Sequence, residues 1–280
     1  MGKALNKQLW KACRNGSISA VLSLIDRGAD INCRDSSKWT PLHHACLNGH
    51  TDIALLLIDR GADVNCRNNH GETPLHSACY TGHTDIALLL IDRGADINSR
   101  DSNGHTPLLL ACHKGHTDIA LLLIDRGADV HSRDSSKWTP LHHACHKGHT
   151  DIALLLLNRG ADINCRNSCE WTPLHFACQE GHTDIALALV RAGANTLAKN
   201  KFDESPLDCA ESEEIKAALI REREKYLAWT RRKAFMMFLV GYRYIAMRHH
   251  QPQAVVGQQC REPLVDMVMR GVNMTIASFL

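Results

Sequence analysis

No stretch of this sequence approaches the ~18–20 consecutive apolar residues that a membrane span needs, and the opening MGKALNKQLWKAC holds no apolar run of signal-peptide length. The expectation is a soluble protein of the cytoplasm or nucleus. A lipid anchor is not expected either, because Asn6 stands where a myristoylation signal wants Ser or Thr. Charge of neither sign dominates: 32 Lys and Arg face 30 Asp and Glu, and a net +2 predicts no attraction of the whole molecule to nucleic acid. Absent too are GxGxxG, a phosphate-cradling GKS or GKT, GxSxG and HExxH, which would signal a dinucleotide, a nucleotide, a nucleophile or a catalytic zinc. The acidic residues recur in step, as Asp59-Arg60 and Ala62-Asp63, rather than converging as a pair. An enzyme, a catalytic residue and a cofactor are therefore not expected.

What fills the chain instead is repetition. TPLHHAC at Thr40 returns as TPLHSAC at Thr73, TPLLLAC at Thr106, TPLHHAC at Thr139 and TPLHFAC at Thr172, each 33 residues after the last. GHTDIAL keeps the same interval from Gly49, Gly82, Gly115, Gly148 and Gly181. A fixed period of this length marks a solenoid, in which a unit buries its apolar face only against its neighbours. Within a unit, Thr40-Pro41 is a helix start: a hydroxyl N-cap, then a proline whose missing N–H costs nothing at the first helical position. Leu42, Ala45 and Cys46 share one face, and Gly49 ends the helix. A second helix starts at Thr51-Asp52, with acid at the positive end of the dipole, and places Ile53, Leu56 and Leu57 at helical spacing before Gly61 closes it. Ala62-Asp63-Val64-Asn65 and the polar residues after it predict an extended hairpin leading to the next Thr-Pro.

TPLHHA, GH, LLL and GADVN in this order and at this period closely resemble the ankyrin repeat. The resemblance implies an all-α ankyrin-repeat solenoid of helix–turn–helix–β-hairpin units, here followed by a helical C-terminal extension. We divide the chain into an N-terminal capping copy over residues 1–35, five full copies over 36–202, a shortened capping copy over 203–224 and a basic helical extension over 225–280. The first copy survives as LWKAC at Leu9 and LIDRGADIN at Leu24, with Lys7-Gln8 in place of Thr-Pro and Ser23 in place of a core leucine, which suits a wet outer face. The last begins at Ser205 and lacks the Gly-His. In the fourth copy Leu109 replaces the histidine of TPLH, so a local hydrogen bond is expected to be lost there.

Twelve cysteines suggest a disulfide framework, but Cys13, Cys46, Cys79, Cys112, Cys145 and Cys178 are one position in six copies. Stacked helical layers lie ~8–10 Å apart, beyond the ~7 Å Cα limit for a bridge. These residues read as small buried hydrophobes of a reducing compartment. Eighteen histidines suggest a metal, above all His142, His143, Cys145, His146 and His149. Residues 142–149 wind around a helix and point different ways, whereas zinc needs a tetrahedron, so no metal is expected. Cys165 and Cys169 form a single C-x3-C without a second pair.

The informative positions are those that differ among near-identical copies. The resemblance implies that a protein partner lies on a concave face built from the hairpin tips before TPLH and from the exposed end of each first helix. Carried onto this chain, the tips supply Trp39, His70, His105, Trp138 and Trp171, and the helix ends Leu47, Asn48, Tyr80, His113, Lys114, His146, Lys147, Gln179 and Glu180. An exposed tryptophan in a polar hairpin calls for a cover, and Trp and Tyr are common hot spots. The alternative is that each ring lies flat over a lysine stem or a neighbouring hairpin, as Lys38-Trp39 and Lys137-Trp138 allow. His113, Lys114, His146 and Lys147 are adjacent in the stack, with Glu170 and Glu180 in the next layer, which favours a partner of opposite pattern. The resemblance also implies that Asn32, Asn65, Asn98 and Asn164 hold the position that asparaginyl hydroxylases modify in some ankyrin proteins, with His131 there in one copy. The function expected is a non-enzymatic interaction scaffold, as a monomer.

From Ile215 to about Arg248 the chain lacks proline and predicts one long helix. Seven basic residues and no acidic one lie between Glu224 and Glu262. Arg231, Arg232 and Lys233 precede the apolar run AFMMFLV, which is expected to be buried against the last repeats or against residues 264–280. The competing expectation is a protein that binds calmodulin or an acidic membrane surface through 225–250, with the repeats as platform.

Overall fold

The computed structural model describes the backbone of residues 2–249 and side chains through residue 237. Among them are the helices α1 (Gly2–Asn15), α2 (Ile18–Asp26), α3 (Pro41–Leu47), α4 (Thr51–Asp59), α5 (Pro74–Thr81), α6 (Thr84–Asp92), α7 (Pro107–Lys114), α8 (Thr117–Asp125), α9 (Pro140–Lys147), α10 (Thr150–Asn158), α11 (Pro173–Gln179), α12 (Thr183–Arg191) and α13 (Glu213–His249). They pair as one helix–turn–helix per copy. The repeat unit ends at Leu219, and α13 continues from Ile220 in a second unit.

The first helices α3, α5, α9 and α11 open on a reciprocal cap. Thr40 is extended and its Oγ1 accepts the His43 N–H at 3.4 Å, while His43 Nδ1 accepts the Thr40 N–H at 3.2 Å. Histidine thus does what Glu or Gln does in the usual capping box. Its other nitrogen reaches forward: Nε2–H of His43 donates to the Glu72 carbonyl at 3.1 Å, and His76, His142 and His175 do the same to His105, Trp171 and Glu204 at 3.0–3.1 Å. Leu109 cannot make this bond. It is fully buried instead.

The Gly-His pair is a second tie between copies. Gly82 ends α5 with φ 89°, and the His116 ring of the next copy lies over it with Nε2 donating to the Tyr80 carbonyl at 3.2 Å. A Cβ on Gly82 would meet that ring at 2.6 Å. Between these ties one core runs the length of the stack, from Leu9 through Leu42, Leu75, Leu108, Leu141 and Leu174 to Ile215 and Leu219. The cysteines of TPLxxAC are buried free thiols. Burial pushes the Cys13 and Cys178 thiols up to about 12, so they stay protonated. First helices pack more closely on one another than second helices do, so the stack curves with the first helices on its inner side.

The β-hairpins implied by the resemblance are not formed: no β-strand is present among the described residues. The loop before Thr40 shows why. The Asp35 N–H donates to the Trp39 carbonyl at 3.0 Å, as a ladder would begin, but the return bond goes to a side chain, from the Trp39 N–H to Asp35 Oδ1 at 2.9 Å. Lys38 meanwhile sits in the left-handed region at φ 60°. Neighbouring loops share one backbone bond, Asn69 N–H to the Ser37 carbonyl at 2.9 Å. A carboxylate has taken the place of the second ladder bond, and the chain turns rather than extends.

Two further features concern the C-terminal end of the described residues. The first helix of the last copy is only a turn, capped by Ser205 N–H to Asp208 Oδ2 at 2.8 Å and Asp208 N–H to Ser205 Oγ at 3.3 Å. In α13, Ile215 and Leu219 are buried, but Phe235, Met236 and Met237 are 58–68% exposed, so the burial expected of the apolar run is not found there. Arg231, Arg232 and Lys233 leave that segment no continuous apolar face to bury. Residues 264–280, its other expected cover, lie outside the described residues.

The TPLH histidines make the fold acid-sensitive. Burial lowers His43 and His142 to about 4, and lowers His76 and His175 as well. The unfolded chain takes up these protons near pH 6.5. Between that value and about 4 it binds more protons than the folded state, so stability falls as pH falls, by up to about 3 kcal/mol for each of His43 and His142. Thermal melts followed by circular dichroism should show the midpoint dropping between neutral pH and about pH 5. His142→Leu, which copies the natural Leu109, should flatten that slope.

Candidate partner-binding face

The loop geometry decides where the tip residues point. Asp35 Oδ1 accepts from both Ser37 N–H and Trp39 N–H at 2.9 Å, and Asp134 does so for Ser136 and Trp138 at 2.8 Å. The residue before Thr-Pro is thereby turned onto the first helix of its own copy. Trp39 lies 5.5 Å from both the His43 and His44 rings, Trp138 6.0 Å from His142 and 5.1 Å from His143, and Trp171 5.5 Å from His175. All three tryptophans are half-buried, resting on histidines rather than on lysine stems.

The structure joins several predicted residues into one ring array across three copies. Phe176 of α11 lies 4.3 Å from Trp138 and 4.9 Å from Trp171, bridging two loops. His146 closes on Trp138 at 5.3 Å and on Phe176 at 5.6 Å, and its Nε2 lies 3.7 Å from Glu180. On the other side, His113 stands edge-on to His143 at 5.3 Å. Burial holds His113 down to about 4 and lowers His146 too, so both are neutral at physiological pH. His105 bonds Asp101 at 3.0 Å and lies 3.9 Å from Asp134, which is also 3.5 Å from buried His143 Nε2.

The other predicted residues fall outside that array. Lys114 Nζ stands 4.0 Å over the exposed Tyr80 ring, a cation–π contact between α7 and α5. Trp39, Leu47 and Asn48 line a separate 290 Å³ groove with Arg14, Asp35, Ser37 and His44. Asn48 spends its amide on the His44 carbonyl at 2.7 Å. His70, Lys147 and Gln179 are exposed and join neither group. Phe176 and His143 were not among the predicted residues, although their position reads His44, Ser77, Leu110, His143 and Phe176 down the copies and varies as much as the tips do. The hairpin asparagines are structural: Asn32 Oδ1 accepts the Asp63 N–H at 2.9 Å and its amide donates to the Gly61 carbonyl at 3.2 Å, a bridge repeated by Asn65 and Asn98.

Family models for ankyrin repeats match residues 9–101 and 94–167, and a single-repeat model matches 169–201. The chain belongs to the ankyrin-repeat family. Human ASB11, in the crystal structure of its ankyrin repeat domain, superposes with a TM-score of 0.71 at 29% identity, over 76% of this chain and 96% of that one. No curated protein matches the chain. Ankyrin-repeat architecture is a non-catalytic scaffold that mediates protein–protein interaction through its concave face. Among the described residues no three His, Cys, Asp or Glu side chains converge to hold a metal ion, and no helix is long and apolar enough to cross a membrane.

Phe176 holds the array together, so Phe176→Ala should cost about 3 kcal/mol and free both tryptophan rings. Urea unfolding with tryptophan emission should show a lower midpoint and a red-shifted folded spectrum. Phe176→His, the residue of the equivalent positions His44 and His143, should recover most of both.

Proposed function

We propose that this ankyrin-repeat protein is a scaffold that grips a protein segment along the inner face of the fourth to sixth copies, centred on Trp138. The observation that carries this is the half-buried ring surface of Trp138, Phe176 and Trp171. Its rings are pre-packed, so little side-chain freedom is lost on binding, and partly exposed aromatics are the commonest interface anchors. Charge sets the direction of the partner. Lys114 and Lys147 lie toward the fourth and fifth copies, and Glu170 and Glu180 lie in the sixth. A segment with an apolar anchor, acidic toward Lys114 and basic toward Glu180, has the complementary pattern. Tyr80, His105, His113, His146 and Gln179 flank that path, and Trp39, Leu47, Asn48 and His70 extend it toward the N-terminal end. No nucleic acid is assigned to it.

The test is affinity capture with mass spectrometry from cells expressing the wild type, Trp138→Ala or Trp171→Ala. A partner bound at this face should be depleted about tenfold or more by Trp138→Ala. An unchanged partner list, with thermal melts showing intact repeats, would reject the assignment.

A further inference from the structure

Leu55, Leu88, Leu121 and Leu154 occupy one position of α4, α6, α8 and α10, and each keeps 37–41% of its surface exposed. They form an apolar row along the second helices, on the side away from the inner face. Three residues before each is an exposed aspartate, Asp52, Asp85, Asp118 and Asp151, without an ion partner among the described residues. Four residues after the first three come Asp59, Asp92 and Asp125, and these are neutralised at 2.6 Å by Arg93, Arg126 and Arg159 of the next copy. The leucine row is therefore bordered by a net acidic row on one side and by a self-neutralised one on the other.

Both rows recur once per copy, about 10 Å apart. A helix laid along them advances 1.5 Å per residue and meets a new copy about every 7 residues. α13 carries that period. Lys225, Trp229, Arg232 and Met236 fall on one helical face, alternate basic with apolar, and are all exposed, Trp229 by 56% and Met236 by 58%. Trp229 and Met236 are spaced to meet two successive leucines. Lys225 and Arg232 are spaced to meet two successive aspartates, offset from the leucines by about 4.5 Å, within reach of a long basic side chain. Lys225 is shared with Glu222 of its own helix at 3.4 Å, so Arg232 is the stronger contact.

We propose that the exposed Trp229–Met236 face of α13 in one molecule docks on the outer leucine row of a second copy of this chain. The contact is heterologous, each molecule offering one face of each kind, and it need not close. This replaces the monomer expected from sequence and leaves the inner face free for its partner.

Sedimentation velocity on the full chain tests it. Wild type should self-associate across the micromolar range, and more weakly as salt is raised. Leu88→Lys with Leu121→Lys, or Asp85→Lys with Asp118→Lys, should weaken association about tenfold or more, as should Trp229→Glu with Met236→Glu. All these positions are exposed, and circular dichroism melts report any loss of fold, the aspartate pair serving if the leucine pair is unstable. The deciding arm mixes an outer-row variant with an α13 variant: each is monomeric alone, and together they should form a 1:1 complex that grows no further. A wild type that stays monomeric, a mixture that does not associate, or binding of α13 to phosphatidylserine vesicles or calmodulin without self-association would overturn the proposal.

Discussion

The neutral histidine of TPLH is the contact on which the rest of the solenoid depends. Its Nδ1 must be bare to accept the Thr40 N–H, and its Nε2 must carry the proton donated to the Glu72 carbonyl. Only the neutral ring, in one tautomer, satisfies both. That single side chain starts a helix in its own copy and pins the loop of the next. A charged ring would set two donors against each other at the helix start while burying an uncompensated cation, and both effects act at every copy that has the histidine.

Because the loop is pinned from behind by histidine and closed from within by Asp or Asn, it needs no strand pairing to be rigid. The consequence reaches the candidate partner-binding face directly. The carbonyl that receives the histidine bond belongs to the tip residue itself, Glu72, His105, Trp171 or Glu204. Trp138 is the tip that follows Leu109, and it lacks that bond. Its ring is instead located by His143, His146 and Phe176, at 4.3–5.3 Å. The array is densest where the backbone staple is missing.

Most of the helix pattern was legible because the period is so nearly unbroken: Thr-Pro starts and glycine ends recur too regularly to mislead. Composition does not separate the predicted hairpin from the turn that forms, because an extended stretch and a side-chain-closed turn share the same polar residues. The distinguishing signal was nevertheless present, since Asp35, Asn68, Asp101, Asp134, Asn167 and Asn200 recur every 33 residues at the loop mouth, where a side-chain oxygen can replace a ladder carbonyl. Phe176 carries neither the tip nor the helix-end signal; it is the variable residue between them. Apolar content alone predicts a buried tail, yet Phe235, Met236 and Met237 are exposed, each with Arg231, Arg232 or Lys233 one helical turn before it.

The two faces of the stack differ in how much they can specify. Along the inner face the copies diverge, from Tyr80 to His113 to His146 to Gln179, so a partner meets different chemistry at each step and one register is preferred over the others. Along the outer face the Asp and Leu three residues apart repeat without change from α4 to α10, so a ligand shifted by one copy within that span meets the same pair. A surface of that kind can discriminate by period but not by register, which suits it to a helix that carries the same period and to association that tolerates sliding. On the proposed reading, identity of the partner resides on the inner face, in the few positions that differ between copies, and the outer face is free to serve the self-association proposed above.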